Sequence, residues 1–195
     1  ERIVHRESPG GRTWLDLCCG TGRLLTLASK KAFAVTGVDR SPFQLAFARR
    51  NAPGARLHRM DIRTFALPGR YDVITCLFDS LNYLLTTADL RKVFVRVRRH
   101  LNPGGVFIFD VNTVDSHARG WRGTSVSRRP RRFLILSSSF DPSRRLARVV
   151  ITGFVREGRN YRRFEETHIQ RSYPNQILER LLTDAGFRFR SYENR

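Results

Sequence analysis

The sequence has few cysteines, and their positions argue against both disulfides and metal binding. The three are Cys18, Cys19 and Cys76. Adjacent cysteines suit neither an unstrained disulfide nor the C-x-x-C spacing of a zinc site, and no histidine or further cysteine lies nearby to complete a ligand set. We therefore expect no metal, and we interpret the pair as small polarisable side chains that end a buried strand.

Long apolar runs are also missing. None approaches the roughly 18 residues that a membrane span requires, and the first residues lack the pattern of a signal peptide. We therefore expect a soluble, cytoplasmic protein. With 195 residues, of which 41% are hydrophobic, the chain is long enough for one domain with a sizeable core.

Acidic residues are scarce, and so is lysine. There are 17 acidic residues against 36 lysines and arginines, which gives a net charge of +19. Only three of the 36 are lysine, so 33 are arginine. A nucleic-acid partner would explain this surplus, and so would a genome-wide preference for arginine codons. The segment RRPRR at 128–132 is a local concentration, but it lacks the interleaved aromatics of a surface that stacks bases. We favour the codon preference.

Short apolar strands alternate with amphipathic helices in the first part of the chain. The predicted strands are 12–19, 32–39, 55–61, 71–78 and 106–112. The predicted helices are 23–31, 41–50 and 89–101, and Ser41 and Pro42 form a typical helix start. This alternation predicts a doubly wound, Rossmann-like α/β fold with a mostly parallel sheet.

The pattern changes after residue 130. Three strands are predicted at 131–140, 145–155 and 160–172, separated by the turn-like segments DPSR and REGR. They predict an antiparallel meander, residues 130–171, inserted after the fifth strand of one domain that spans 1–195. The segment HARGWRGTS, which contains Trp121, is interpreted as a linker. A helix at 174–187 and a last strand at 188–193 complete the prediction.

The segment DLCCGTG at 16–22 follows directly on the first strand. Its glycines allow a tight turn and close approach of a ligand at the carboxyl ends of the strands, where parallel sheets bind ligands. Asp39 and Asp61 end the next two strands. Asp16 lies near the end of the first strand in the same way. Each of these three acids alone is typical of a turn or helix cap, but three at successive strand ends around a glycine turn favour a nucleoside site.

The pattern disfavours a dinucleotide such as NAD. The fingerprint G-x-G-x-x-G would place its third glycine at Leu25, and Asp16 would repel a pyrophosphate. An adenosine with a cationic amino-acid tail fits better.

These segments resemble the class I S-adenosylmethionine-dependent methyltransferases. WLDLCCGTGRL is similar to the family's first motif, and VTGVDRS, MDIRTF, YDVITCLFDSLNYL and LNPGGVFIFDVN are similar to those that follow. The resemblance covers 12–112, which would be the cofactor-binding core, and extends less specifically through HIQRSYPNQILERLLTDAGF.

The resemblance implies that S-adenosylmethionine is the cofactor and that a methyl group passes to a small molecule. It places the methionine part at the first glycine turn, the ribose at the end of the second strand and the adenine at the end of the third. The implied cofactor-binding residues are Asp16, Cys18, Gly20, Thr21, Gly22, Asp39, Arg40, Asp61, Ile62, Leu77, Phe78 and Asn82.

Catalytic residues are less clearly marked, because methyl transfer depends chiefly on alignment of donor and acceptor. The catalytic candidates are Asp79, Tyr83 and His168, and the substrate-side candidates are Tyr83, His168 and Tyr173. Capping or core packing would explain the same residues.

Two other functions stay open at this point. The charge is compatible with a methyltransferase acting on RNA or tRNA. A non-catalytic scaffold is the second, because the family's helices before the first strand and its seventh strand are expected to be absent from these residues. We expect a monomer or homodimer.

Overall fold

A computed structural model describes residues 2–8 and 10–190. The chain forms two compact units. The first contains residues 1–81, 86–111 and 178–195, and the second contains 82–85 and 112–177.

The first unit is built on a parallel five-stranded sheet. Its strands are β1 (Thr13–Leu17), β2 (Ala34–Asp39), β3 (Arg56–Arg59), β4 (Tyr71–Cys76) and β5 (Leu101–Phe109). They lie in the order β3-β2-β1-β4-β5, and every neighbouring pair is parallel. The doubly wound fold and the presence of all five predicted strands are confirmed, although β5 begins at Leu101 and not at 106. The strand order reverses between β1 and β4, which is where such sheets leave a crevice for a ligand.

Helices connect these strands. The predicted helix starts at 23 and at Ser41–Pro42 are confirmed, whereas the helix predicted from 89 begins at Thr87. The described helices are α1 (Arg2–Glu7), α2 (Arg23–Ser29), α3 (Pro42–Asn51), α4 (Thr87–His100), α5 (Val114–Gly120) and α6 (Asn175–Asp184), with a 3-10 turn at Ser80–Tyr83. The Ser41 hydroxyl caps α3 by accepting the backbone N–H of Gln44. None of the described helices is long and apolar enough to cross a membrane.

Helix α4 shows why its sequence folds in this way. Leu90, Val93, Phe94 and Val97 recur at helical spacing and are fully buried, while most of the basic residues between them are exposed. Burying side chains of this size stabilises the fold by about 1.5–3 kcal/mol each. The side chain of Thr86 caps the helix by accepting the Asp89 N–H.

The second unit contains an antiparallel sheet of four strands. These are β6 (Gly123–Arg129), β7 (Arg132–Asp141), β8 (Leu146–Glu157) and β9 (Asn160–Arg171), in that order. The three predicted meander strands are confirmed. Strand β6 and helix α5 replace the predicted linker around Trp121. The sequence of β6 hid it, because this exposed edge strand has a single large apolar residue, Val126.

The two faces of this sheet differ in burial. Side chains alternate between faces along a strand. Ala147, Val149 and Gln170 lie on one face and are buried, whereas the opposite face of β6 and β9 is mostly exposed.

The predicted last strand is wrong over its described part. Residues 188–190 form no strand, and 191–193 lie outside the described residues.

Candidate functional site

The carboxylate of Asp39 joins the ends of β1 and β2. Its Oδ2 accepts the backbone N–H of Gly20 at 2.9 Å, and its Oδ1 accepts that of Ser41 at 2.8 Å. A carboxylate has about four acceptor sites, so each oxygen retains capacity for a further donor. Asp39 therefore holds the glycine turn in place and can also accept two neighbouring hydroxyl groups of a ligand.

Asp16, at the carboxyl-terminal part of β1, is a buried acid held by a hydrogen-bond chain. The Thr75 hydroxyl donates to Asp16 Oδ1 at 2.6 Å and accepts the indole N–H of Trp14 at 2.9 Å. The described residues donate no hydrogen bond to Asp16 Oδ2. Burial raises the pKa of Asp16 to about 7, with Thr75 acting against this shift and Asp39 adding to it. The second oxygen can therefore receive a cationic donor, which would favour the ionised form.

The turn after β1 bends through residues of positive φ. Gly20 has φ 53° and Gly22 has φ 78°. A Cβ on Gly22 would lie 3.0 Å from the Cβ of Ala48 on α3, so close packing also requires glycine here. The Asn51 side chain donates to the Thr21 carbonyl and fixes the turn from outside.

The cysteines beside this turn are wall residues. Cys18 is partly exposed with φ 56°, and Cys19 is buried. Burial and the negative charge of Asp16 raise the pKa of the Cys19 thiol, which keeps it protonated and unreactive at neutral pH. Within residues 2–8 and 10–190, no group of three or more His, Cys, Asp or Glu side chains could hold a metal ion.

Asp61, just beyond β3, is engaged by its neighbour Arg63. Arg63 donates its backbone N–H and Nε–H to Asp61 Oδ1 and its Nη2–H to Oδ2. These bonds lower the pKa of Asp61. Asp61 therefore acts at least in part as a turn aspartate, which the sequence left open as an alternative to ligand binding. Ile62 beside it is buried, while Arg40 is exposed and its carbonyl accepts Arg59 Nε–H.

A strained segment follows β4. Phe78 and Asp79 have φ values of 59° and 50°, an unusual conformation that costs about 1–2 kcal/mol per residue. Leu77 is partly buried, whereas Phe78 is 75% exposed. The Asp79 N–H donates to Asp110 Oδ1 after β5. Burial and the charge of Asp79 raise the pKa of Asp110. Such strain is typical of ligand-binding segments.

Two predicted site residues, Asn82 and Tyr173, form hydrogen bonds within the second unit. Asn82 is fully buried; its amide donates to the carbonyls of Asn112 and Arg171 and accepts the Asn112 N–H. Tyr173 is buried, and its hydroxyl donates to the Leu84 carbonyl. Both Asn82 amide hydrogens are used in these bonds, which gives the residue a structural role. Its predicted cofactor contact stays a prediction. The Tyr173 hydroxyl likewise supports the chain at Leu84.

The second unit also contains a hydrogen-bonded chain of three polar side chains. The Tyr83 hydroxyl lies 3.0 Å from His168 Nδ1, and His168 Nε2 lies 3.2 Å from Glu166 Oε2. The aromatic rings of Tyr83 and His168 meet edge to face. One neutral tautomer satisfies both bonds, with Tyr83 donating to Nδ1 and Nε2–H donating to Glu166.

Three residues that take part in the hydrogen bonds described above, Thr75, Asp110 and Glu166, were not predicted from the sequence. Thr75 and Asp110 form hydrogen bonds with partners 59 and 31 positions away in the sequence, and no local sequence pattern indicates such distant pairs. Glu166 is different: it precedes His168 by two positions on the same strand, and same-face spacing could have suggested the pair.

Comparisons with known proteins agree with this geometry. A family model described as a methyltransferase domain matches residues 15–105. The putative methyltransferase YqeM of Bacillus subtilis strain 168 is 33% identical over 178 residues, which is 89% of this chain and 72% of that protein.

Two further proteins are similar over most of the chain. The dTDP-4-amino-2,3,4,6-tetradeoxy-D-glucose N,N-dimethyltransferase of Saccharopolyspora spinosa is 31% identical, covering 96% of this chain and 76% of that protein. An S-adenosylmethionine-dependent methyltransferase from Clostridium acetobutylicum superposes with a TM-score of 0.87 at 31% identity, covering 94% of this chain and 76% of the other. The chain therefore belongs to the class I S-adenosylmethionine-dependent methyltransferases.

Proposed function

We propose that this enzyme methylates an amino group on a small sugar-like acceptor, and that Tyr83 and His168 accept the proton which the amine must lose. The observation that carries this proposal is the Tyr83–His168–Glu166 chain. The similar Saccharopolyspora protein, whose name states an amino-sugar acceptor, supports the choice of acceptor.

The first unit would hold the cofactor at its strand ends. Oδ2 of Asp16 suits the ammonium of the methionine part, and the two oxygens of Asp39 suit the ribose hydroxyls. The fit to a cation rests on the buried Asp16 carboxylate, which receives one hydrogen bond from the described residues and has a raised pKa. When bound, the cofactor supplies a methyl group on a positively charged sulfur.

The remaining cofactor contacts are proposals of the same kind. Asp61 and the Ile62 N–H would recognise the adenine edge, with Arg40 beside the ring. Asp61 retains lone pairs besides those that Arg63 occupies. Leu77 and Phe78 would line the site, with Cys18 and Thr21 in the turn.

A protonated amine has no lone pair for attack, so a base is needed at neutral pH. We assign the Tyr83 hydroxyl oxygen as the atom that receives the amine proton while its own proton passes to His168 Nδ1. Imidazole exchanges protons readily near neutral pH. Glu166 would stabilise the imidazolium through the Nε2–H bond.

Asp79 and Asp110 would attract the cationic acceptor. The Asp79 N–H donates to Asp110 Oδ1, and the carboxylates repel each other electrostatically. An ammonium group near both relieves this repulsion. Asp79 thus becomes a binding residue in this proposal.

Transfer of the labelled methyl group from S-adenosylmethionine to a panel of acceptors tests the proposal. The panel pairs amino sugars, free and linked to a nucleoside diphosphate, with the same sugars carrying hydroxyl groups. We expect turnover with at least one amine and at least 100-fold less with its hydroxyl counterpart. Methylation of hydroxyl compounds alone, or of RNA alone, would refute the amine acceptor.

A further inference from the structure

An arginine and aromatic surface lies at the hairpin end of the second sheet. The uninterrupted register pairs Arg128 with Phe133, Phe133 with Phe154, and Phe154 with Arg163. Directly paired residues share a face, so the four form one row across all four strands. Tyr161, two positions from Arg163, lies on the same face and is 56% exposed. These five residues are the hairpin-end surface.

The Phe133 and Phe154 rings on this surface are partly exposed and lie close together. The centroids of Phe133 and Phe154 are 6.1 Å apart. Together with Tyr161 and the arginines of β6 and β7, they line an open groove of about 630 Å³. The aromatic interleaving that the RRPRR segment lacks is thus supplied by Phe154 and Tyr161 from neighbouring strands.

The charge here is concentrated. Segments 128–132 and 154–163 contain four arginines each, eight in fifteen residues, with Glu157 as their one acid. Glu157 pairs with Arg162, and nearby Glu165 pairs with Arg163. Among the described residues, no acid forms an ion pair with the four arginines of 128–132. Arginine makes up eight of these fifteen residues, whereas lysine and arginine together make up 36 of the 195 residues of the whole chain. A codon preference that acted uniformly along the chain does not account for this local concentration.

The surface is distinct from the Tyr83–His168 pair. His168 pairs with Val149, five positions before Phe154 on β8. An odd separation places His168 and Phe154 on opposite faces, and five residues span about 17 Å. A small acceptor held at His168 therefore does not occupy this groove.

From these rings and the four arginines of 128–132, which form no ion pair among the described residues, we propose that the hairpin-end surface binds single-stranded nucleic acid. Bases stack on Phe154 and Tyr161, and Arg128 and Arg129 contact the backbone phosphates. Aromatic side chains on the face of a β-sheet, with basic residues around them, bind single-stranded nucleic acids in this way. A second copy of the chain fits poorly, because its identical positive surface would be repelled. The proposal is independent of the acceptor proposed above.

Fluorescence anisotropy with a labelled, unstructured 12-nucleotide RNA tests this inference across 50–200 mM salt. We expect Tyr161→Leu to weaken binding at least fivefold, since a stacked base is lost. Arg128→Gln with Arg129→Gln should lower the slope of log affinity against log salt by about 0.7 per arginine.

Matched controls come from α3 in the first unit, where Phe43 is 80% exposed. Phe43→Leu and the pair Arg49→Gln with Arg50→Gln should leave affinity and slope within twofold of the unmodified protein. The inference is overturned if the unmodified protein fails to bind, if RNA duplex binds equally well, or if the control variants lose as much. Methyl transfer to the small acceptor should continue in the Tyr161 variant.

Discussion

Asparagine in place of Asp16 should make the protein more stable at pH 8 while abolishing cofactor binding. The folded-state pKa of Asp16 is raised from 3.8 to about 7 by burial. Between these values the folded state binds more protons than the unfolded state, so ionisation of Asp16 lowers the free energy of unfolding as pH rises. Above pH 7 this cost is fully present.

The size of the effect follows from the shift. About three pH units correspond to roughly 4 kcal/mol at 1.36 kcal/mol per unit, an upper bound because the buried amide also needs partners. Asparagine keeps the oxygen that accepts the Thr75 hydroxyl. We expect thermal unfolding at pH 8 to show a gain of at least about 1 kcal/mol, and the gain should disappear below pH 4.

Asp61→Asn is the matched control, since it makes the same chemical change at a neighbouring strand end. Arg63 lowers the pKa of Asp61, so its charge stabilises the fold above its unfolded pKa and this stabilisation is lost as pH falls. The control should therefore lose stability at pH 8. A loss of stability in both variants would show that the Asp16 carboxyl is not an unfavourable buried charge.

Glutamine in place of His168 should reduce kcat by about 10²- to 10⁴-fold, the usual contribution of a general base. The affinity for S-adenosylmethionine should change less than twofold. Steady-state kinetics over pH 6–10 separates a base from a structural residue. Because a larger fraction of the amine is already deprotonated at high pH, the deficit should shrink as pH rises.

Neighbouring variants sharpen this test. Tyr83→Phe removes the hydroxyl but keeps the ring contact with His168, so we expect a similar loss of kcat with an intact fold. Glu166 is 59% exposed at its side chain, and Glu166→Gln should cost less than tenfold. A pH-independent deficit in His168→Gln would contradict the proton-transfer role.

The sequence was most informative where function depends on short segments. The glycine turn, Asp39 and the alternation of strands and helices followed from local patterns, because a strand running into a helix places its turn at the sheet edge. Long-range pairs were invisible: Thr75 reaches Asp16 across two neighbouring strands, and Asn82 finds Asn112 after 30 positions. Strand β6 was missed because pairing with β7, rather than its own apolar content, holds it.

Calorimetric titration with S-adenosylmethionine, its demethylated product and NAD tests the cofactor site most directly. The comparison is between the unmodified protein, Asp39→Ala and the control Asp115→Ala, whose exposed carboxylate lies in the second unit. We predict micromolar binding of the first two ligands, no binding of NAD, and at least 100-fold weaker binding in Asp39→Ala, since two hydrogen bonds to a charged group are lost. Unchanged affinity in Asp39→Ala, or equal binding of NAD, would contradict the proposed cofactor site.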